Sequence, residues 1–296
     1  MYINSLNIHP KMTVESDIIA IGSDPHSNPF ALEAVIADVE KHGIKREDIW
    51  ILGDNIGYNA YPNETVKIIK DSGIHSLFGN HDIAVLQEKG ITTSSLLLYM
   101  ALHSIGCFNS HAEIARLYTA DNLSDESTDF LKNLSFSQRF NHSIGVHSRP
   151  YNFGDFGFYF AYEDNNKRFQ KEVNKTFETM SGREKCTNHE INVCFVGHSH
   201  RPGYIMQEPD KENHVFIPAV WGDIVHVGDR TKKYIIDVGS IGQPRDGNKD
   251  ATWVEYNIPE GKVTFRKVSY DIDKIVKANR RVGLPAVISD RLYAGR

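Results

Sequence analysis

Short apolar runs recur along the chain, and each stops abruptly at glycine and polar residues. Residues 17–22 (DIIAIG), 48–52 (DIWIL) and 74–78 are the first three, and each reads as a short buried strand. Between them the apolar spacing turns helical. Leu32, Val35, Ile36 and Val39 predict a helix over 29–42, with proline in its first turn. A second helix is predicted over 63–71, stopped near Gly73. Strand–helix–strand–helix–strand is the order of a parallel α/β unit.

Farther along, residues 83–140 read mostly as helix. The stretch 94–118 carries apolar residues in helical bands, with His103 and His111 as surface or packing residues, and 124–133 opens with capping chemistry. A strand at 143–146 leads into His147. Residues 151–189 begin rich in aromatics, from Tyr151 to Tyr162, and then become charged and helical in character. Another buried strand, 191–196 (INVCFV), ends at Gly197. Short strands then alternate with polar turns at 203–206, 214–217, 233–238, 252–256 and 263–268, which suggests a second, largely antiparallel sheet. The tail reads as a helix over 271–281, a Gly-Leu-Pro break, and a helix over 284–292. No repeat or low-complexity linker interrupts the chain. We therefore expect one domain over 1–296, with 1–16 as an N-terminal extension and 151–189 as an insertion. That insertion either caps the molecule or packs peripherally on its own aromatics.

Composition narrows the class. The 296 residues are 40% hydrophobic and 24% charged, which is ordinary for a globular protein. A net charge of −5 gives no reason to expect a broad nucleic-acid surface. The three cysteines, Cys107, Cys186 and Cys194, form no CxxC pair, which fits a reducing, cytoplasmic setting; Cys194 reads as a buried thiol. Residues 1–12 lack the apolar core of a signal peptide, and 96–108 is too short and interrupted to cross a bilayer.

The chemistry is concentrated where the apolar runs stop. Asp24 and His26 follow the first run, Asp54 the second, and Asn80, His81 and Asp82 the third; His147 follows the strand at 143–146, and His198 and His200 the one at 191–196. Open α/β sheets place working residues at strand tips. With His81 set aside, two carboxylates, one amide and four imidazoles make seven candidate metal ligands, a set suited to Mn, Fe or Zn. One open catalytic metal takes about three protein ligands, so seven suit two metals sharing one carboxylate. Two ions about 3.5–4 Å apart form the clamp used for in-line displacement at phosphorus. A free imidazole beside the clamp could protonate the leaving oxygen, oriented by a neighbouring carboxylate. His142 competes with His147, which is preferred because it directly follows the strand.

Taken in order, Asp24-Pro25-His26, Gly53-Asp54, Gly79-Asn80-His81-Asp82, His147 and Gly197-His198-Ser199-His200 resemble the calcineurin-like metallophosphoesterases, particularly their small bacterial and archaeal branch. Gly53 to Tyr58, Gly239 to Gly247 and the tail around Tyr270-Asp271 and Gly283-Leu284-Pro285 extend the likeness. The resemblance implies a four-layer α/β/β/α sandwich with two central mixed sheets. It also implies that Asp24, His26 and His200 hold one metal, that Asn80, His147 and His198 hold the other, and that Asp54 bridges them. His81 would be the catalytic imidazole and Asp82 its partner. Three positions depart from the pattern: Ser27 and Ser148 stand where glycine is usual, and Asp237 where asparagine is common.

The implied activity is a dinuclear-metal phosphoesterase. Hydroxide held between the metals attacks a small phosphodiester, phosphomonoester or nucleotide. A protein phosphatase, a dinucleoside polyphosphate hydrolase, and a non-catalytic adaptor binding partners through 151–162 are the alternatives.

Overall fold

The computed structural model describes residues 16–92, 109–150, 167–181, 191–207 and 213–296. Residues 1–15 of the expected N-terminal extension, the aromatic stretch 151–162, the segment 96–108, His103, Cys107 and Cys186 lie outside these residues.

Two six-stranded sheets pack face to face. The first has the order β3-β2-β1-β11-β12-β9, from β1 (Ile18–Gly22), β2 (Ile49–Ile51), β3 (His75–Ser76), β9 (Ile224–His226), β11 (Ala251–Asn257) and β12 (Lys262–Val268). The second has the order β4-β5-β6-β10-β7-β8, from β4 (Ser137–Phe140), β5 (Ser143–Val146), β6 (Val193–Val196), β7 (Gly203–Gln207), β8 (Ile217–Pro218) and β10 (Lys233–Asp237).

Alternation along each strand builds the layers. Ile19, Ile21, Val254 and Tyr256 of the first sheet face Val193, Phe195, Tyr234 and Ile236 of the second across a common core. Their neighbours Ala20, Ile49, Ile51 and Trp253 point outward, onto Leu32, Val35 and Val39 of α1 (Pro29–Lys41) and Ile69 of α2 (Pro62–Asp71). On the other side Ile144, Cys194, Val196 and Ile235 meet Phe169, Val173 and Phe177 of α6 (Lys167–Met180). The result is the four-layer α/β/β/α sandwich. Both faces of the central strands are buried, so those strands read as unbroken apolar runs. Cys194 is buried as expected, and burial pushes its thiol up.

The division of strands between sheets differs from the sequence expectation. The early strands do not form a purely parallel sheet, nor the late ones a separate antiparallel sheet. β11 returns to pair antiparallel with β1 (Ile18 opposite Asn257), while β5, β6 and β10 run parallel in the second sheet. An apolar run reveals a buried strand but not its partner. Two edge strands were also hidden. β4 (SQRF) has no apolar run and pairs with β5 through a tight turn at Asn141, inside a stretch read as helix. β9 is exposed and was not anticipated. β3 is shorter than expected: Leu77 N still donates to Ile51 O at 2.9 Å, but Leu77 also bridges Ser135, and Phe78 N donates to Ser135 O at 2.8 Å.

The remaining helices are α3 (Asn80–Glu88), α4 (Ser110–Asn122), α5 (Asp125–Leu131), α7 (Ile272–Arg281) and α8 (Ala286–Ala294). Ser124 caps α5 by accepting from Ser127 N, and exposed His111 lies on α4. No helix among the described residues is long and apolar enough to cross a membrane.

Candidate metal centre

The carboxyl ends of the parallel strands open on one place. β1 delivers Asp24 and His26, β2 delivers Asp54, the turn after β3 delivers Asn80 and His81, β5 delivers His147, and β6 delivers His198 and His200. His142 sits in the hairpin at the opposite end of β5. The ligating atoms of Asp24, His26 and His200 lie within 4.8 Å of one another, as do those of Asp54, His147 and His198, and those of His26, Asp54 and His81. Asn80 joins through Oδ1, 3.1 Å from His147 Nε2. All of these side chains except Asn80 are buried.

The loops reach this place through a strained backbone. Asp24, His26, Asp54, His198 and His200 all have positive φ, between 47° and 64°. A left-handed residue other than glycine costs roughly 1–2 kcal/mol. Direct loop-to-loop hydrogen bonds hold the strain: Asp24 N to Gly53 O at 3.0 Å, His26 N to Asp54 O at 3.0 Å, and His198 N to Asp24 Oδ2 at 3.0 Å. Gly197 is required by close approach, since a Cβ there would sit 2.6 Å from Asp24 Oδ2. Ser27 takes the left-handed backbone (φ 56°) that glycine would take more easily.

The hydrogen bonds also fix which ring nitrogens are free to bind a cation. His26 Nδ1 lies 3.2 Å from Ile56 O, His147 Nδ1 2.8 Å from Leu52 O, and His200 Nδ1 2.5 Å from Gln243 O. A carbonyl only accepts, so each Nδ1 carries the hydrogen and each Nε2 turns its lone pair inward. There they meet other acceptors. His26 Nε2 faces His200 Nε2 at 3.2 Å, His200 Nε2 lies 3.1 Å from Asp24 Oδ1, and Asp54 Oδ2 lies 3.6 Å from His26 Nε2 and 3.4 Å from His147 Nε2. Lone pairs and carboxylates converging without a donor suit a positive ion, so these residues fit a metal. A proton otherwise takes part of that role: burial disfavours charge on His147, but the Asp54 carboxylate outweighs it and raises the imidazole to about 9.

A family model described as calcineurin-like phosphoesterase matches residues 18–202. The chain belongs to the calcineurin-like phosphoesterase family. The phosphoesterase is 31% identical over 293 residues to an uncharacterized protein of Methanocaldococcus jannaschii, covering 94% of this chain and 98% of that one. Among solved structures it is similar to a metallophosphoesterase from Sphaerobacter thermophilus, with a TM-score of 0.69 and 28% identity over 94% of this chain and 99% of that one. A hypothetical protein of Pyrococcus horikoshii shares the fold, with a TM-score of 0.67 at 18% identity over 94% and 98% of the two chains. Family membership makes the chain a metal-dependent phosphoric ester hydrolase.

Within this phosphoesterase, Asp82 is not placed as the resemblance implied. It is the third residue of α3, and its oxygens accept from Gly79 N, Asn55 N, Asn55 Nδ2 and Ile56 N at 2.9–3.3 Å. It therefore ties the Asp54 loop to the Asn80 turn and is not bonded to the His81 ring. The first N–H groups of α3 serve the same junction, with His81 N donating to Asp54 Oδ1 at 2.8 Å. Burial and the neighbouring Asp54 raise the Asp82 carboxyl to about 7, against those donors.

Sequence reasoning assigned no role to Tyr58, Gln243 or Arg245, although two of the stretches that carried the resemblance contain them. The Tyr58 ring lies 4.8 Å from His26 and 4.7 Å from His81, and Arg245 N donates to His200 O at 3.1 Å. The available signal was the strand before them: β10 is parallel to β6, so its carboxyl end opens on the same pocket.

Proposed function

We propose that this phosphoesterase hydrolyses small phosphate esters with two bound cations (Mn, Fe or Zn). Asp24, His26 and His200 hold one, Asn80, His147 and His198 hold the other, and Asp54 is shared. The observation that carries this reading is Asp54 Oδ2, which faces His26 Nε2 and His147 Nε2, one imidazole from each group, at 3.6 and 3.4 Å. A bound pair of cations supplies water activation and neutralises the phosphoryl oxygens.

The chain's own groups do the rest. The strained loops fix the ligands before substrate arrives. His81, held against Tyr58 and His26, gives its proton to the leaving oxygen. Burial, opposed by Asp54, lowers its imidazole to about 4, and the negative charge of a bound phosphate counteracts that shift. Asp82 acts as a positioning residue through the Asp54 loop. The intact donor set favours catalysis over an adaptor role. The same reading takes 1–296 as one domain and, from the cysteine usage, the cytoplasm as its compartment.

The test is turnover of 4-nitrophenyl phosphate and bis(4-nitrophenyl) phosphate by metal-loaded protein, which separates monoester from diester preference. His81→Ala is expected to lose about 100- to 10,000-fold in kcat while keeping its metal. Full turnover by chelator-stripped protein would sink the proposal.

A further inference from the structure

The loop after β10 carries groups that this chemistry leaves unused. Arg245 is tethered to the metal pocket by its backbone, and its side chain extends along Tyr58. Nη2 donates to Gln243 Oε1 at 2.8 Å and reaches the Tyr58 hydroxyl at 3.4 Å, while Cζ lies 5.8 Å from the ring centroid. Arg291 of α8 lies close enough to Tyr58 and Arg245 to feel both, and burial together with the Arg245 charge lowers its pKa. Its Nε donates to Arg296 O at 2.8 Å. Two guanidinium groups therefore lie near one phenol, and among the described residues no Asp or Glu side chain pairs with either.

Two donors in this corner have no acceptor. Arg245 Nε and Gln243 Nε2 are buried without a hydrogen-bond partner, and Gln243 is fully buried. Native structures rarely leave buried N–H groups unmade unless a ligand or water completes them. Positive charge without an Asp or Glu partner, beside unmet N–H donors, is the chemistry that recognises phosphate. The place follows from Tyr58. Its hydroxyl end carries the arginines and its ring faces His81, which donates the proton to the leaving group in the proposed reaction. The Arg245 charge is felt at both His81 and His200, where it lowers the imidazole pKa.

We infer that Gln243, Arg245 and Arg291 form an anion subsite for a second phosphoryl group carried by the leaving part of the substrate. This rests on the phosphoesterase reading and narrows its substrate class to phosphate compounds whose leaving group is itself phosphorylated, such as nucleoside polyphosphates. In the step, a water oxygen bonds to the terminal phosphorus as the bond from phosphorus to the bridging oxygen breaks. That oxygen takes the His81 proton, and the proton lost by water passes to solvent. The departing phosphate stays held by the arginines.

The experiment compares ADP, whose leaving group is AMP, with AMP, whose leaving group is adenosine, on metal-loaded protein. The wild type should favour ADP by about tenfold or more in kcat/KM. The Arg245→Gln/Arg291→Gln double variant should bring the two within about twofold, and Arg291→Gln alone should lower the ratio part-way. Circular dichroism and metal content verify that each variant is folded and loaded. Equal use of ADP and AMP by the wild type, or an unchanged ratio in the double variant, overturns the subsite. If no phosphate ester is turned over at all, the phosphoesterase reading fails on its own. The subsite is then decided by calorimetry: tighter ADP than AMP binding that the double variant loses supports it, and equal affinities overturn it.

Discussion

The two sheets bring unlike chemistry to one pocket. The first contributes both carboxylates, Asp24 and Asp54, together with Asn80, His26 and His81; the second contributes only the imidazoles His147, His198 and His200. Yet the Asp24 group and the Asp54 group each draw residues from both sheets. Both carboxylates come from one side, and each of these two groups takes imidazole from the other. A cation bound in either group therefore joins the two halves of the sandwich.

The largest effect should come from testing the carboxylate proposed to be shared against a one-sided imidazole. Asp54→Ala should release both metals and cut turnover by at least about a thousandfold, as expected when several kcal/mol of charge stabilisation is removed. His147→Ala leaves the Asp24, His26 and His200 group whole, so mass spectrometry should find about half the wild-type metal. Full metal content in Asp54→Ala would break the comparison.

A smaller effect separates binding from proton transfer. Gly57 has φ 92°, and a Cβ there would lie 2.6 Å from His81 Nδ1. Gly57→Ala should displace the imidazole and lower kcat by about 10- to 100-fold with metal content unchanged. Loss of metal in this variant would place His81 among the ligands, as its proximity to His26 and Asp54 permits.

The smallest effect concerns Asp237, a carboxyl at a tip of the second sheet. Asp237 is fully buried, accepting from Ser199 Oγ at 2.5 Å and Gly239 N at 2.9 Å, and burial raises it well above the usual carboxylate range. Burial thus favours its protonated form, which is close in shape to asparagine. Its folded pKa lies above the unfolded value. The unfolded chain therefore ionises first as pH rises past about 4, and stability is lost from there upward. Asp237→Asn removes that loss, so its unfolding midpoint should exceed the wild type's by about 2–4 °C at pH 8 and match it near pH 4. An equal gap at both pH values would show that Asp237 is ionised in the fold.

The sequence made the candidate ligands legible because each follows an apolar strand, a pattern that is local and strong. Asp82 shows the limit. Sequence adjacency put it beside His81, but the pair begins a helix, where successive side chains diverge by about 100°. The carboxylate consequently faces Asn55 and Ile56. β4 and β9 were missed because edge strands carry no two-sided apolar signal. Arg245 and Tyr58 were missed because nothing local distinguishes a guanidinium aimed at a pocket from one in solvent.

The residues by themselves determined most strands, most helices, and the inventory and order of the candidate ligands, since these depend on side-chain type and short-range spacing. Only the tertiary structure decided which strands share a sheet, which imidazole nitrogen faces the cation position, and which arginines border the pocket. Those are matters of direction and long-range pairing. They are set when residues as far apart as Asp24 and His200 are brought within 3.1 Å, a contact no local pattern encodes.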